Sequence, residues 1–460
     1  MSHERKAHAR DDYLTATRKR KHVAIIGFGY VGTVLGVYLA ERGFHVTGID
    51  SQPSVIRKIA SGEPHLKEPQ VSESLSKLIS SGALSVTSSY EAISDSGILI
   101  VTVGTPIGGQ YSPDLTALES CINEIGKFLR KGQLLIAKST LPPGTTRTVV
   151  AAMLQEFGFE PGKDIFLSFC PERLAEGNAM NEIKELPVVV GGINEESAVL
   201  AEEFWRSAGL NVIRVSSLEA AELVKLTDNV WIDVNVALAN ELARVCEAIE
   251  VNAMEVIAAA NSLPKGRGKV NCLTPGIGVG GSCLTKDPWF LVNFAASKGV
   301  EIEIPQIARQ VNERVPTVIL ETLLSILRGR GFTPNRTKVA ILGYAFKGST
   351  SDTRNTPANP IIRGLIHRGF KVSVFDPWVD PKTIEEECGI KESDSLGSCI
   401  DGAQAVVLVA NHPEFKWDDI SPKLEREAIV FDGWHSFDPL SVAKGGHDYY
   451  SPGNFVRSRH

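Results

Sequence analysis

The chain has 460 residues, a length that exceeds one ordinary hydrophobic core and predicts two or three domains. Its composition, 43% hydrophobic and 22% charged, is that of a globular protein. The net charge of −6 argues against a nucleic-acid partner, because phosphate binding requires concentrated positive charge. Apolar runs stay shorter than the roughly 18–20 residues that a membrane span needs, which argues against a membrane partner.

The N-terminal residues and the cysteines bear on the cellular location of the protein. Residues 1–20 are polar and basic and lack the apolar core of a secretion signal, so a disordered tail is predicted there. Residues 446–460 are predicted to form a second, loose tail. The cysteines form neither a CxxC pair nor a disulfide framework, which favours reduced thiols in a cytoplasmic enzyme. Their seven positions are 121, 170, 246, 272, 283, 388 and 399.

Strands and helices alternate over residues 21–215. Short apolar runs follow one another with helical patterns between them, which predicts a parallel, doubly wound Rossmann domain. The runs interpreted as strands span residues 22–27, 45–50, 97–103, 134–138, 165–169, 188–191 and 212–215.

A dinucleotide-binding fingerprint follows the first predicted strand. The run from Gly27 to Gly32 has the pattern GxGxxG, opens a helix, and is followed by Asp50 at the end of the second strand. Such glycines let the backbone approach a pyrophosphate, and the acid accepts hydrogen bonds from the ribose; a ligand-free tight turn is the alternative. Because a 2′-phosphate would meet the charge of Asp50, NAD is predicted over NADP. The predicted cofactor residues here are Gly27, Gly29, Tyr30, Val31, Gly32 and Asp50, with Thr105 and Thr140 in later loops.

A helical region and a second Rossmann-like region follow. Leu218 to Val251 contains no Gly or Pro and has apolar residues at helical spacing, which predicts one long helix or two abutting ones. Its length indicates a subunit interface in a homodimer or higher homo-oligomer, with an internal connector as the alternative. The predicted fold is therefore α/β, with Rossmann-like domains at 21–215 and 329–445 joined by a central helical domain at 216–328.

The run Gly280-Gly281-Ser282-Cys283-Leu284-Thr285-Lys286-Asp287 contains a candidate nucleophile. Lys286 lies three residues after the thiol and Asp287 four, and a neighbouring cation favours the thiolate. Together with a nicotinamide site, Cys283 indicates an oxidation through a covalent thioester. The alternative is a small buried cysteine without reactivity.

The chain resembles the UDP-glucose/UDP-N-acetylmannosamine dehydrogenase family over about residues 21–432. Six ordered motifs are far more specific than any one of them. They are the fingerprint at 27–32, Ser-Thr-Leu-Pro-Pro-Gly-Thr-Thr at 139–146, Cys-Pro-Glu-Arg-Leu-Ala-Glu-Gly at 170–177, Lys225-(x3)-Asn229, Gly-Gly-Ser-Cys-(x2)-Lys-Asp at 280–287, and Ala-Phe-Lys-Gly-Ser-Thr-Ser-Asp-Thr-Arg at 345–354.

The resemblance implies a mechanism and a role for each matching residue. These enzymes oxidise C6 of a UDP-sugar twice with NAD, and Cys283 would carry the thiohemiacetal and thioester. The implied nucleophile is Cys283. Lys225 and Asn229 would hold the oxyanion, and Glu172, Asp287 and Thr140 would position the hydrolytic water, with Glu176 as the second carboxylate of the motif at 170–177. The implied substrate residues are Glu172, Arg173, Leu174, Lys225, Asn229, Arg267, Gly280 and Lys347; Glu176, Lys286 and Arg354 would contact the cofactor.

The substrate subclass is mixed. Ser282 before Cys283, with Lys286 after it, resembles glucose-type members, whereas the motifs at 171–173 and 233–241 resemble the UDP-N-acetylhexosamine branch. We favour an acetamido sugar such as UDP-N-acetylmannosamine or UDP-N-acetylglucosamine, with UDP-glucose as the alternative. A two-electron hydroxyacid-type dehydrogenase and a non-catalytic NAD sensor are more distant alternatives. Trp434 stands where glucose-type members have an arginine, and the histidines lack metal-ligand spacing, so no metal is predicted.

Overall fold

The computed structural model describes residues 21–64, 68, 70–266 and 268–457. They form two compact units, one ending at Asp228 and the other beginning at Asn229. The boundary falls inside a long helix rather than at residue 215, because Leu218 and Ala221 in its first turn belong to the core of the first unit. The predicted tail of residues 1–20 lies outside the described residues.

The first unit contains one eight-stranded sheet. Its strands are β1 His22–Ile26, β2 His45–Ile49, β3 Leu84–Thr87, β4 Ile98–Val101, β5 Leu134–Ala137, β6 Phe166–Phe169, β7 Val188–Gly192 and β8 Val212–Arg214. Their spatial order is β3-β2-β1-β4-β5-β6-β7-β8. The pairs are parallel except β6 with β7, because the connection of residues 170–187 re-enters the sheet at the end where β6 leaves it. The sequence pattern predicts neither this reversal nor the short strand β3.

Helices cover both faces of this sheet. They are α1 Tyr30–Glu41, α2 Pro53–Ala60, α3 Val71–Ser80, α4 Thr116–Gly126, α5 Ala151–Glu156, α6 Ala179–Glu185 and α7 Glu195–Ser207, with 3-10 turns at Tyr90–Asp95 and Gly109–Tyr111 and a π turn at Thr146–Val150. Alternate residues of β1 enter different cores, Val23 and Ile25 on one face and Ala24 and Ile26 on the other. Burial on both faces explains the continuous apolar runs in the sequence.

The second unit begins within the long helix α8, Leu218–Ala248. Its other helices are α9 Ala253–Ala260, α10 Asp287–Ser297, α11 Ile304–Gly329, α12 Ala358–His367, α13 Pro381–Cys388, α14 Leu396–Ile400, α15 Trp417–Ile420 and α16 Pro439–Lys444, with a 3-10 turn at Ser421–Lys423. Its strands are β9 Pro264–Lys265, β10 Gly268–Lys269, β11 Lys338–Leu342, β12 Lys371–Phe375, β13 Ala405–Leu408, β14 Ile429–Asp432, β15 Asp448–Ser451 and β16 Asn454–Val456. The last six form one sheet, ordered β12-β11-β13-β14-β15-β16.

The C-terminal sheet extends into residues predicted to be a tail. β15 pairs in parallel with β14, and β16 closes the sheet as an antiparallel edge strand. Tyr449 is buried in the core of this sheet, so burial of a few apolar side chains orders the segment. Across the described residues, no helix is both long and apolar enough to span a membrane.

Candidate active site

The first unit carries a cradle for a dinucleotide between β1 and α1. Gly27 has φ +89°, and a side chain there would lie 2.9 Å from the backbone nitrogen of Val103. A Cβ on Gly32 would lie 2.4 Å from the carbonyl oxygen of Gly27, so the turn closes only with glycine. Gly29, in contrast, faces open space. Gly27 and Gly32 therefore pack tightly against backbone, while Gly29 leaves an open surface that a pyrophosphate could approach.

Charge and hydrogen-bonding groups of this cradle also suit NAD. α1 starts after Gly29 without a side-chain cap, so the first-turn amides of Tyr30 and Val31 have no acceptor from a capping side chain. Asp50 follows β2 and is half-buried; its Oδ1 accepts a hydrogen bond from the Gln52 amide at 2.8 Å. Its second carboxylate oxygen remains for a ribose. The residues present thus fit NAD.

The second sheet also has an acid after its second strand, but the protein's own backbone occupies its hydrogen-bonding capacity. Asp376 follows β12, is buried, and its Oδ2 accepts hydrogen bonds from the amides of Tyr344 at 2.6 Å and Ala345 at 2.9 Å. His412 Nε2 lies 3.1 Å from the same oxygen. Burial alone would raise the pKa of Asp376, but these partners outweigh it and lower the pKa to about 2. This carboxylate therefore holds the loop after β11 rather than offering itself to a ribose.

A carboxylate that the sequence analysis missed braces the cofactor side. Glu68 is buried; its Oε2 accepts hydrogen bonds from the Tyr30 hydroxyl at 2.5 Å and the Gly177 amide at 2.8 Å, and its Oε1 from the Ala179 amide. Burial and the bond to Glu68 raise the pKa of Tyr30. Glu68 thus joins α1 to the loop that contains Glu176. Its local sequence carries no pattern that would have singled it out.

Glu172 lies after β6 and is held in place from two sides. Its Oε1 accepts hydrogen bonds from the amides of Arg173 at 2.7 Å and Leu174 at 2.6 Å, and Lys138 Nζ lies 3.2 Å from Oε2. Lys138 is buried and also donates to the Pro171 carbonyl at 3.1 Å. A lysine at the end of an apolar strand was the available sign of this pairing, and the sequence analysis did not use it.

The other predicted residues of the first unit differ in whether the protein itself supplies them with a partner. Thr105 Oγ1 donates to the Thr140 carbonyl at 2.7 Å, which brings these two loops together. Arg173 Nε donates to Asp228 Oδ2 at 2.9 Å. Lys225 is only 8% exposed, and its ammonium has no polar partner within the described part of the chain. An unpaired charge in such a place is suited to an anionic ligand.

Cys283 lies in a turn that leads into α10. Its carbonyl oxygen accepts hydrogen bonds from the amides of Lys286 at 3.1 Å and Asp287 at 2.9 Å, so two backbone hydrogen bonds close the turn. The side chain is exposed, whereas the cysteines at 121, 170, 246, 388 and 399 are buried. Exposure at the start of a helix is the environment expected of a reactive cysteine.

A polar network at the base of this turn joins three predicted residues. Asn229 on α8 donates to Asp287 Oδ2 at 2.5 Å, and Lys286 Nζ lies 2.5 Å from Asp287 Oδ1. Asp287 is fully buried, and the Lys286 ammonium also lies 4.5 Å from the centre of the Phe290 ring. The charge of Lys286 is thus directed to Asp287. Lys225 lies one turn before Asn229 on the same face of α8.

The glycines before Cys283 pack against the loop after β11. A Cβ on Gly280 would lie 2.5 Å from Phe346 Cβ, and Gly281 has φ +80°. The Gly281 amide donates to the Arg354 carbonyl at 2.8 Å, and Asn355 Nδ2 donates to the Gly281 carbonyl at 3.2 Å. The motifs at 280–287 and 345–354 are therefore in direct contact, which the sequence alone did not indicate.

Four further positions from the sequence analysis have distinct outcomes. The Arg354 guanidinium pairs with Asp352 at 2.6 Å, and the Lys347 ammonium lies 5.8 Å from the Phe346 ring centre. Arg267 lies outside the described residues. Trp434 donates from its indole nitrogen to the Val409 carbonyl at 2.5 Å, so it braces β13.

A cavity of about 590 Å³ in the first unit lies away from these groups. Its walls include Lys21, Gly97, Gln133 and Phe166, next to the amino ends of β1, β4, β5 and β6. Ligands of open α/β sheets bind at the opposite, carboxyl ends. The cavity therefore lies at the end of the sheet opposite the dinucleotide cradle.

A dinucleotide cradle of this kind defines an NAD-dependent oxidoreductase. Models of the UDP-glucose/GDP-mannose dehydrogenase family match the chain over three successive stretches: the NAD-binding domain at 21–208, the central domain at 219–314 and the UDP-binding domain at 340–439. The chain belongs to this family, and it is an NAD-dependent oxidoreductase that acts on an alcohol carbon of a nucleotide sugar.

Named relatives match over nearly the whole chain. The UDP-N-acetyl-D-mannosamine dehydrogenase of Pyrococcus horikoshii is 36% identical over 414 residues, which cover 89% of this chain and 94% of the relative. A solved structure of that enzyme has a TM-score of 0.83 and 34% identity, covering 94% and 99% of the two chains. The UDP-N-acetyl-mannosamine dehydrogenase of Staphylococcus aureus has a TM-score of 0.79 at 29% identity, covering 94% and 98%.

Proposed function

We propose that the protein oxidises C6 of a UDP-N-acetylhexosamine, with UDP-N-acetylmannosamine as the first candidate, to the corresponding uronate. The observation that carries this proposal is the buried network of Asn229, Lys286 and Asp287 beneath the exposed thiol of Cys283. The relatives from Pyrococcus horikoshii and Staphylococcus aureus, both named for UDP-N-acetylmannosamine, support the choice of sugar.

The chemistry assigned to Cys283 is covalent. Bound NAD+ supplies the acceptor for each of two hydrides. The Cys283 thiolate adds to the C6 aldehyde after the first oxidation and forms a thiohemiacetal, whose oxidation leaves a thioester. Water then releases the acid and returns the thiol. Sulfur suits this role because a thioester remains reactive toward water. Four electrons leave the sugar in total, so two NADH form for each acid.

Carboxylates and donors around these steps have complementary tasks. Glu172, oriented by two amides, and Asp287 are proposed to orient and deprotonate the hydrolytic water together with Thr140. Lys225 and Asn229 are proposed to stabilise the negative oxygen that develops at C6. Arg173, Leu174, Arg267, Gly280 and Lys347 remain the proposed substrate residues, and Glu176, Lys286 and Arg354 the proposed cofactor residues.

UDP-glucose is the second candidate substrate. Its support is the glucose-type sequence around Cys283, where Ser282 precedes the thiol and Lys286 follows it. A solved UDP-glucose dehydrogenase from Pyrobaculum islandicum also has a TM-score of 0.79, at 29% identity. The fold is thus compatible with either sugar.

A substrate panel tests the choice. Purified protein is incubated with NAD+ and UDP-N-acetylmannosamine, UDP-N-acetylglucosamine or UDP-glucose, and NADH absorbance and product mass are measured. We expect the highest kcat/KM with an acetamido sugar and two NADH per acid. Preference for UDP-glucose would establish the alternative, whereas one NADH per product would refute the four-electron reaction altogether.

We also propose a homodimer formed through α8, and a cytoplasmic location. Trp231, Leu238 and Val245 recur every seven residues along one side of α8 and are 45%, 46% and 58% exposed. A stripe of large apolar side chains on a long helix is typical of a subunit interface. Seven free thiols support a reducing compartment.

A further inference from the structure

A buried charged network lies directly behind the cysteine turn and has no role in the chemistry above. Arg309 on α11 and Asp233 on α8 are each at most 1% exposed, and Arg309 Nη1 lies 2.6 Å from Asp233 Oδ1. The same nitrogen donates to the carbonyl of Leu284 at 2.9 Å. Leu284 directly follows Cys283. The guanidinium therefore grips the backbone of the turn that presents the thiol.

Asn312, one turn after Arg309 on α11, completes the network. Its Nδ2 donates to both the Oδ1 and the backbone carbonyl of Asp233, each at 2.8 Å. These bonds fix the carboxylate, and the carboxylate fixes Arg309. Residues of α8 and α11 thus hold the Arg309 guanidinium where it donates to the Leu284 carbonyl.

Stability alone does not account for this arrangement. Among the described residues, Asp233 Oδ2, Arg309 Nε and Asn312 Oδ1 are buried and make no hydrogen bond, although the exposed Glu313 carboxylate lies 3.5 Å from Arg309 Nε. Burial also raises the pKa of Asp233 to about 6 despite the neighbouring Arg309. A buried ion pair with unsatisfied atoms is commonly no better for folding than apolar side chains of similar volume. The network therefore calls for a functional reason.

We propose that Arg309 is a positioning residue for Cys283, acting through the Leu284 carbonyl, with Asp233 and Asn312 holding the guanidinium in place. The turn has other anchors on different sides: Asn229 binds Asp287, and Asn355 binds the Gly281 carbonyl. Arg309 supplies the anchor at the residue after the nucleophile. This role rests on the proposed function of Cys283.

The test removes the hydrogen bond from Arg309 to the Leu284 carbonyl and replaces the two charged side chains by apolar ones of similar volume. In the double variant Asp233→Leu/Arg309→Met both charges are replaced by apolar side chains, so we expect it to fold with a melting temperature at or above that of the wild type. Arg309→Lys is the second variant, because it keeps a positive charge opposite Asp233 while shortening the reach to Leu284. Arg368→Met/Glu321→Gln is the control; it removes an ion pair between the residue that follows α12 and a residue of α11, outside this network.

Hydrogen exchange of the free enzyme gives a readout that needs no substrate. Loss of a hydrogen bond from a charged donor should speed exchange of the Lys286 and Asp287 amides by about 10- to 100-fold in the double variant. Exchange in the control should match the wild type. Unchanged exchange in the double variant would overturn the proposal even if the substrate were misassigned.

Steady-state kinetics gives the second readout. We expect kcat of the double variant to fall about 100-fold with KM changed less than about threefold, because a misplaced nucleophile impairs the reaction more than binding. NADH formed per acid should exceed two, since aldehyde would escape before thiol addition. Arg309→Lys should fall between the wild type and the double variant. A folded double variant with wild-type kcat would show that the network is only structural.

Discussion

The carboxylate of Asp287 links the turn that contains Cys283 to α8. It is fully buried, yet its two oxygens bind Asn229 and Lys286 at 2.5 Å each. Both oxygens of this buried carboxylate thus have hydrogen-bond partners. Asp287 is the first residue of α10, and its amide donates to the Cys283 carbonyl at 2.9 Å, so its carboxylate lies close along the backbone to the proposed site of thioester hydrolysis.

Replacing Asp287 by Asn should therefore slow hydrolysis more than oxidation. We expect kcat of Asp287→Asn to fall about 100-fold, the range of a lost general base, while the acyl-enzyme on Cys283 accumulates. Rapid quenching followed by mass spectrometry of the intact protein measures both effects. Glu321→Gln, on an exposed ion pair, is the control. A slow variant without accumulated adduct would assign Asp287 to an earlier step.

Short loops, rather than whole domains, decide the geometry of the cysteine turn. Gly280 and Gly281 allow the turn to lie against Phe346, where no side chain fits. The tightness of this packing makes a quantitative prediction. Gly280→Ala should lower the free energy of unfolding by about 1–3 kcal/mol, as overpacking does.

Urea denaturation checks the glycine prediction. Gly329→Ala is the matched control, because a Cβ there meets no atom within 4 Å and should leave stability within about 1 kcal/mol. Equal effects of the two substitutions would show that the turn gives way and that the Phe346 contact is loose.

The start of α8 carries a titratable link to the loop at 139–146. Glu222 is buried and accepts hydrogen bonds from the Gly144 amide at 2.5 Å and from the Thr146 amide and hydroxyl at 2.8 and 2.6 Å. Burial outweighs these bonds and raises the pKa of Glu222 from 4.5 to about 7. Above pH 4.5 the unfolded chain loses this proton while the folded protein keeps it.

Stability should therefore fall as the pH rises from 4.5 to 7 and level off above 7. At 1.36 kcal/mol per pKa unit, the contribution of Glu222 is about 3 kcal/mol. The difference in unfolding free energy between wild type and Glu222→Gln, followed by urea titration across this range, isolates it. A pH-independent difference would mean that Glu222 has an ordinary pKa in the folded protein.

At the scale of the whole molecule, two Rossmann-like sheets of one chain have different tasks. The first keeps Asp50 available beside an open Gly29, whereas the second commits Asp376 to its own backbone. An acid at the end of the second strand is therefore left available for a ligand in one sheet and is bound by the loop backbone in the other. The hydrogen-bond partners make this difference, and they cannot be read from the sequence.

The proposed dimer makes a prediction at this scale. Trp231→Glu combined with Leu238→Glu places charges on the exposed stripe of α8 and should convert the dimer to monomers, because buried unpaired charges are costly. Sedimentation velocity measures the change, with Leu440→Glu, an exposed apolar residue on α16, as the control. A wild-type monomer, or a double variant that stays dimeric, would rule out this interface.

The sequence predicted elements better than contacts. Strands such as β5 and the helix α8 follow from apolar runs and spacing, since burial imposes those patterns. Glu68 and Arg309 were missed because their partners lie far away along the chain and no local pattern marks them, whereas Lys138 at the end of an apolar strand carried a local sign that its partner alone could explain. β15 and β16 were missed because their apolar runs are short and lie among Gly and Ser.

Cys283 is proposed to carry the oxidised sugar as a thioester before water releases the acid. Wild-type protein mixed with UDP-N-acetylmannosamine and NAD+, quenched in acid within one turnover and digested, should yield the peptide containing Cys283 with the mass of the attached uronyl group. Cys283→Ser should bind NAD+ as the wild type does, form no thioester and produce acid at least about 1,000-fold more slowly. Acid formed at the wild-type rate by that variant, or an adduct on another side chain, would contradict the account.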